Sequence, residues 1–222
     1  MMRGIALGMA MLIGSVTIDS VQAADILEPS LDTGAMPQAI SDTSILVFAG
    51  RSIEGHVWQA DSLPFVADYG GQFQIGAALA HTPYQLPLGF VVGAEVGASV
   101  RIDNDDFGPD GTSGEVWAGP TIRHSGIPIG PVLVKPAFTF GLSAVTNSYG
   151  LERQREIEED GDATLLYFMA PEIALSLKSH PNVDFVYRAQ HRSGGKNIFF
   201  LPALGDMGDT TNANVFGVRV HF

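Results

Sequence analysis

The sequence predicts an all-β fold, an eight-stranded antiparallel up-and-down outer-membrane β-barrel. Three observations carry this: eight runs that alternate apolar and polar side chains with period two, connections between them that alternate long and short, and an aromatic residue, Phe222, closing the last run. Composition agrees. Glycine costs about 1 kcal/mol per helix position relative to alanine, and there are 26 glycines among 222 residues. With 45% apolar residues the chain is too hydrophobic for a disordered one. Lys and Arg number 12 against 24 Asp and Glu, a net charge of −12, so the basic stripe that nucleic acid requires is missing and no nucleic-acid partner is expected. The lack of cysteine removes disulfides, thiol nucleophiles and cysteine-ligated zinc together.

Taken in order, residues 1–23 read as a secretory signal peptide: Arg3, an apolar stretch from Ile5 to Ile13, and Val21-Gln22-Ala23 before Ala24. That apolar core is far short of the roughly 20 residues that span a bilayer as a helix. Residues 24–43, with Asp25, Glu28, Pro29, Asp32, Gly34 and Pro37, read as a polar lead-in. The barrel then occupies 44–222, with strands expected at 44–53, 71–80, 88–102, 114–123, 130–144, 164–178, 184–193 and 212–222.

The alternation is clearest in the sixth and eighth runs. Leu165, Tyr167, Met169, Ile173, Leu175 and Leu177 share one face, opposite Glu172, Ser176 and Lys178; Phe216, Val218, Val220 and Phe222 oppose Arg219 and His221. The gaps 81–87, 124–129 and 179–183 are short and hold turn formers, His81-Thr-Pro83, Gly126-Ile-Pro128 and His180-Pro-Asn182. The gaps 54–70, 103–113, 145–163 and 194–211 are long. Short periplasmic turns and long external loops give this alternation. Lipid forbids an open sheet edge, so the sheet closes, and eight strands leave an interior filled by side chains with no wide pore.

Other features are expected to be structural. Trp58, Trp117, Tyr69, Tyr84, Tyr149 and Tyr167 are candidates for interfacial girdles. The acidic run Asp103-Asn-Asp-Asp106 departs from an EF-hand at Phe107 and reads as a solvated loop. Residues 152–162, Glu-Arg-Gln-Arg-Glu-Ile-Glu-Glu-Asp-Gly-Asp, also read as a soluble loop. The six histidines show no metal-binding spacing, and no serine sits in a G-x-S-x-G elbow.

Chemistry enters at 184–193. Phe185, Tyr187, Ala189, His191 and Ser193 share one face, and Arg188, Gln190 and Arg192 the other. The apolar face of a membrane barrel looks at lipid, which puts His191 and Ser193 outside, at the upper end of a rising strand. A polar group in hydrocarbon without a partner costs several kcal/mol. Residues i and i+2 are same-face neighbours, so an imidazole can act as general base for a serine hydroxyl there; a bare His-x-Ser wetted at headgroup depth is the plainer alternative.

The run Tyr187-Arg-Ala-Gln-His191-Arg-Ser193-Gly-Gly195, followed by Gly205-Asp-Met-Gly-Asp-Thr-Thr-Asn-Ala-Asn-Val-Phe-Gly-Val-Arg-Val-His-Phe222, resembles the end of the bacterial lipid A 3-O-deacylases, PagL-type barrels also described as acyloxyacyl hydrolases. The match covers about the last 40 residues; upstream only the architecture agrees. The resemblance implies an outer-membrane carboxylic ester hydrolase that removes the 3-hydroxyacyl chain at position 3 of lipid A. Ser193 would be nucleophile and His191 base, with an acid to orient the imidazole. No Glu lies between Ser193 and Phe222, so Asp209 is chosen as the third member, with Asp206 and Asn212 as alternatives. Asn212 shares the outward parity of Phe216 and Phe222. The family's Asn after the serine is Gly194 here, so backbone N–H groups of Gly194 and Gly195 become the expected oxyanion donors.

The implied partners are lipid A, or lipopolysaccharide, in the outer leaflet and the outer membrane itself; a homodimer is left open. No cofactor or metal is expected. Arg192, Lys196 and Arg153 are candidate contacts for lipid A phosphates. The alternative reading keeps the barrel and drops the chemistry, leaving a small non-enzymatic envelope protein with a structural or adhesive role.

Overall fold

A computed structural model describes residues 41–54, 63–102, 111–148, 150–196 and 202–222, with the side chain of Asp209 excepted. The proposed signal peptide, nearly all of the lead-in, Trp58, the Asp103–Asp106 run and Tyr149 lie outside the described residues.

Among the described residues nine strands form one sheet: β1 (Thr43–Ile53), β2 (Tyr69–Gln85), β3 (Phe90–Ile102), β4 (Thr112–His124), the short β5 (Ile127–Ile129), β6 (Val132–Val145), β7 (Leu165–Leu177), β8 (His180–Ser193) and β9 (Asp209–His221). Every pairing is antiparallel. The eight long strands follow one another around the sheet, with β1 paired to β9 and β4 to β6, so they close into a barrel. β5 is a small hairpin appended to β6.

The expected strands appear with shifted ends. β2 runs through His81-Thr-Pro83 to Gln85, because a register irregularity between His81 and Tyr84 places Pro83 where no ladder N–H is needed. His180-Pro-Asn182 opens β8, with Pro181 beside the turn at the first residues of the strand. Ile127 and Pro128 belong to β5. The alternation of long and short connections stands, with the long ones at the end where β8 finishes and β9 begins.

Burial divides along the strands as period two requires. Val47, Ile75, Val96, Val116, Ile173, Phe185, Phe216 and Val218 are exposed on the outside. The interior holds Leu46, Phe48, Trp117, Phe168, Val186 and Val215 together with a layer of buried charge. Arg188 donates from Nη1 and Nη2 to Glu95 (2.8 and 2.6 Å) and from Nε to Glu172 (2.9 Å). Glu172 also accepts from both Nη atoms of Arg219. Below them, Lys135 Nζ donates to Asp184 Oδ1 (2.6 Å), whose other oxygen faces His221 Nε2 (2.8 Å). An apolar exterior around a charged interior inverts the soluble pattern and suits a closed barrel in lipid. No described helix is long and apolar enough to cross a membrane.

Trp117 is not in a girdle. It lies inside, donating from Nε1 to Glu95 Oε1 (3.1 Å) and stacking on Phe168 at 5.1 Å between centroids. Facing Gly97 leaves room for it: a Cβ at that position would fall 2.1 Å from the indole.

The 145–163 segment also differs from the expected loop. Gly150–Glu159 form a helix, α1. Its sequence carries the signal, since Glu, Arg and Gln are good helix formers and the side-chain pairs Arg153–Glu156 and Gln154–Glu158 stand at i,i+3 and i,i+4. Glu152 turns into the barrel mouth and is fully buried between Arg101 (3.2 Å) and Arg192.

Candidate active site

The outward face of β8 and β9 changes character as it rises. Phe185 is 67% exposed and lies across from Val218; Tyr187 and Phe216 pair at 5.4 Å between ring centroids; then come Asn214, His191 opposite Asn212, and Ser193 opposite Asp209. Arg188, Gln190 and Arg192 point inward, as the alternation requires. The apolar-to-polar gradient along one face places the His191–Ser193 level near the headgroup boundary of a bilayer.

The pair is outward-facing and yet covered. His191 and Ser193 are each only 5% exposed. On one side β7 supplies Met169, across from His191, and Tyr167, across from Ser193; the Tyr167 hydroxyl donates to the carbonyl of Pro202 (3.0 Å). Above, the segment before β9 folds back over the strand end, with Met207 packed on Ala163 and Leu166 and with Leu204 against that cluster.

Asn212 is the residue brought against the imidazole: its Oδ1 lies 2.5 Å from His191 Nδ1. An amide oxygen facing Nδ1 accepts from that nitrogen, and in the neutral imidazole Nε2 is then the acceptor, the tautomer a general base needs. Asp206 is elsewhere, exposed and paired with Lys196 (3.0 Å). Asp209 opens β9 as the ladder partner of Ser193. Tyr187 donates to Asn214 Oδ1 (3.0 Å), a polar contact one pair below that the His-x-Ser pattern does not announce.

The Ser193 hydroxyl is held by backbone. It donates to the Gly208 carbonyl (3.0 Å) and accepts from the Gly195 N–H (3.1 Å). Gly194 donates its own N–H to the same Gly208 carbonyl (2.8 Å). Both expected oxyanion donors are therefore engaged within the loop. Gly194 is required by close packing, since a Cβ there would fall 2.2 Å from the Met207 carbonyl oxygen and 2.5 Å from that of Leu204. An Asn in that position does not fit this loop.

The proposed phosphate contacts divide. Arg192 is inside the barrel, its guanidinium engaged by Glu152, Ser143 Oγ (2.6 Å) and the Ala163 carbonyl (2.9 Å), and so is withdrawn from any lipid headgroup. Lys196 and Arg153 remain half-exposed. No group of His, Asp and Glu side chains with metal-binding geometry occurs among the described residues.

Closed, antiparallel, apolar outside and charged within, the chain is an eight-stranded β-barrel of the bacterial outer membrane. No family model matches it, and no curated protein does. Among solved structures it is similar to Neisserial surface protein A (NspA), at 12% identity and a TM-score of 0.46 over 83% of this chain and 100% of that one. It is similar also to the outer membrane enzyme PagL, at 11% identity and 0.46 over 80% and 98%. A third similarity is to Ail, the attachment invasion locus protein of Yersinia pestis, at 13% identity and 0.36 over 83% and 100%. At these identities and scores the likenesses assign no activity.

Proposed function

We propose that the protein is an outer-membrane esterase acting on an acyl ester that stays in the bilayer, with the 3-hydroxyacyl ester at position 3 of lipid A as substrate. The observation that carries the reading is the His191 Nδ1–Asn212 Oδ1 contact on the lipid-facing side, with Ser193 one pleat further on the same face. A buried imidazole whose tautomer is set by an amide, next to a serine, is the arrangement of a Ser/Cys–His–Asn hydrolase. Its position at the upper rim matches a substrate whose chains remain in lipid.

In this mechanism the Ser193 hydroxyl turns from the Gly208 carbonyl toward His191. Oγ attacks the ester carbonyl while Nε2 takes its proton; collapse of the tetrahedral intermediate expels the sugar hydroxyl, which receives that proton. Water then adds to the acyl-enzyme with His191 again as base, releasing the hydroxy fatty acid and restoring the serine.

The test is mass spectrometry of lipid A from cells producing the wild type or Ser193→Ala. Loss of one hydroxyacyl chain only with the intact serine is the expected result. Identical spectra from folded, surface-displayed proteins overturn the reading. A specific observation favours the second reading, a non-enzymatic barrel: the Ser193 hydroxyl and the Gly194 and Gly195 N–H groups already have backbone or local partners. Under that reading the polar cluster serves to pin the loop to the strand end, and the spectra do not change.

A further inference from the structure

The end of β8 carries a structural irregularity directly at the candidate site. Arg192 pairs with Thr211 while Ser193 pairs with Asp209, so Thr210 is the extra residue of a β-bulge on β9. A bulge interrupts the ladder and re-aims the neighbouring side chains, so the direction of Ser193 depends on whatever holds it. β8 itself stays in regular register with β7 from His191 to Ser193, so the bulge changes what Ser193 meets on the β9 side.

The described contacts that hold the bulge from outside the two strands come from α1. Glu152, Arg155 and Glu159 stand at i, i+3 and i+7 and share one face of the helix. Arg155 Nη1 donates to the Thr210 carbonyl (2.8 Å). Glu159 Oε2 accepts from the Gly208 N–H (2.8 Å), the residue whose carbonyl receives both the Ser193 hydroxyl and the Gly194 N–H. Glu152 engages the guanidinium of Arg192, between His191 and Ser193 in the chain. Thr210 Oγ1 closes the circuit by donating to the Arg192 carbonyl (2.7 Å). One helical face thus touches β8 on one side of the bulge and β9 on the other, through three charged side chains.

We infer that α1 is the positioning element of the site, and that Arg155 and Glu159 are positioning residues that hold the backbone of Ser193 beside His191 by clamping the Thr210 bulge, leaving the hydroxyl to rotate between the Gly208 carbonyl and the imidazole. The inference rests on the esterase reading of that site. Neither side chain touches substrate in this scheme. Each acts through the backbone of Gly208 or Thr210, so its loss should lower the rate of the chemical step more than the affinity for lipid.

The experiment compares wild type, Arg155→Met, Arg155→Lys, Glu159→Leu and the solvent-face control Gln154→Ala, refolded as full barrels, in hydrolysis of purified lipopolysaccharide in detergent micelles. Arg155→Met and Glu159→Leu are expected to lose roughly tenfold to hundredfold in kcat with KM within about twofold of wild type. Arg155→Lys should recover part of the loss, and Gln154→Ala should match wild type. Wild-type kcat in folded Arg155→Met and Glu159→Leu overturns the inference. Amide hydrogen exchange at residues 191–195 is measured on the same samples: faster exchange in Arg155→Met supports the clamp, and unchanged protection overturns it even if no protein turns over substrate. Failure of the esterase reading appears separately, as a Ser193→Ala variant indistinguishable from wild type.

Discussion

His191 Nδ1 and Asn212 Oδ1 lie 2.5 Å apart, across a non-terminal rung of the β8–β9 ladder and on its lipid-facing side. The contact assigns the imidazole tautomer, and its removal separates orientation from bulk. Asn212→Leu should lower hydrolysis of lipid A by roughly a hundredfold or more, as loss of an orienting partner does in other triads, whereas Asn212→Asp, which retains an acceptor, should remain within about tenfold of wild type. Rates on purified lipopolysaccharide decide; equal rates for all three proteins would remove Asn212 from the chemistry.

Gly194 has no room for a side chain, because the carbonyl oxygens of Met207 and Leu204 stand over it. Gly194→Ala should destabilise the folded barrel by about 1–3 kcal/mol through displacement of the loop. The urea midpoint in detergent micelles measures it. A midpoint equal to wild type would show that the loop gives way without cost.

The interior charges are unequal in their pairing. Glu172 is shared by Arg188 and Arg219, while Arg123, equally buried, has Ser44 Oγ at 3.3 Å and no partner on Nε or Nη2. Glu172→Gln should therefore destabilise by about 3–5 kcal/mol, whereas Arg123→Met should be neutral or stabilising by about 1–4 kcal/mol. Comparable losses from both substitutions would contradict the asymmetry.

Glu156, in the external segment, accepts from Ser148, the Ala163 N–H (3.1 Å) and Arg153. Burial raises its pKa, but these contacts outweigh it and hold the carboxyl below its ordinary value of 4.5. A depressed carboxylate contributes stability above that ordinary value and loses it as pH falls through the folded-state value. The segment from α1 to β7 should thus loosen below pH 4.5 while the barrel persists. Hydrogen exchange of residues 146–163 against pH checks this, and Glu156→Gln should remove the acid-dependent change.

Barrel, strand number and the outward direction of His191 and Ser193 were all legible in the sequence, because period-two alternation and the lengths of connections are local properties that a closed sheet in lipid imposes. The parity of Asn212 with Phe216 was legible for the same reason. Tertiary structure alone decided the rest. The Thr210 bulge makes Asp209, in place of Thr210, the ladder partner of Ser193, while His191 and Asn212 meet on a regular rung below it, and a bulge is a product of pairing between strands, invisible to counting along either one. The burial of Arg192 and Glu152, the stack of Trp117 on Phe168, and the docking of a charged helical face on the barrel mouth likewise depend on groups more than 20 residues apart in the chain. Local pattern determines which way a side chain points; only the closed fold determines what it meets.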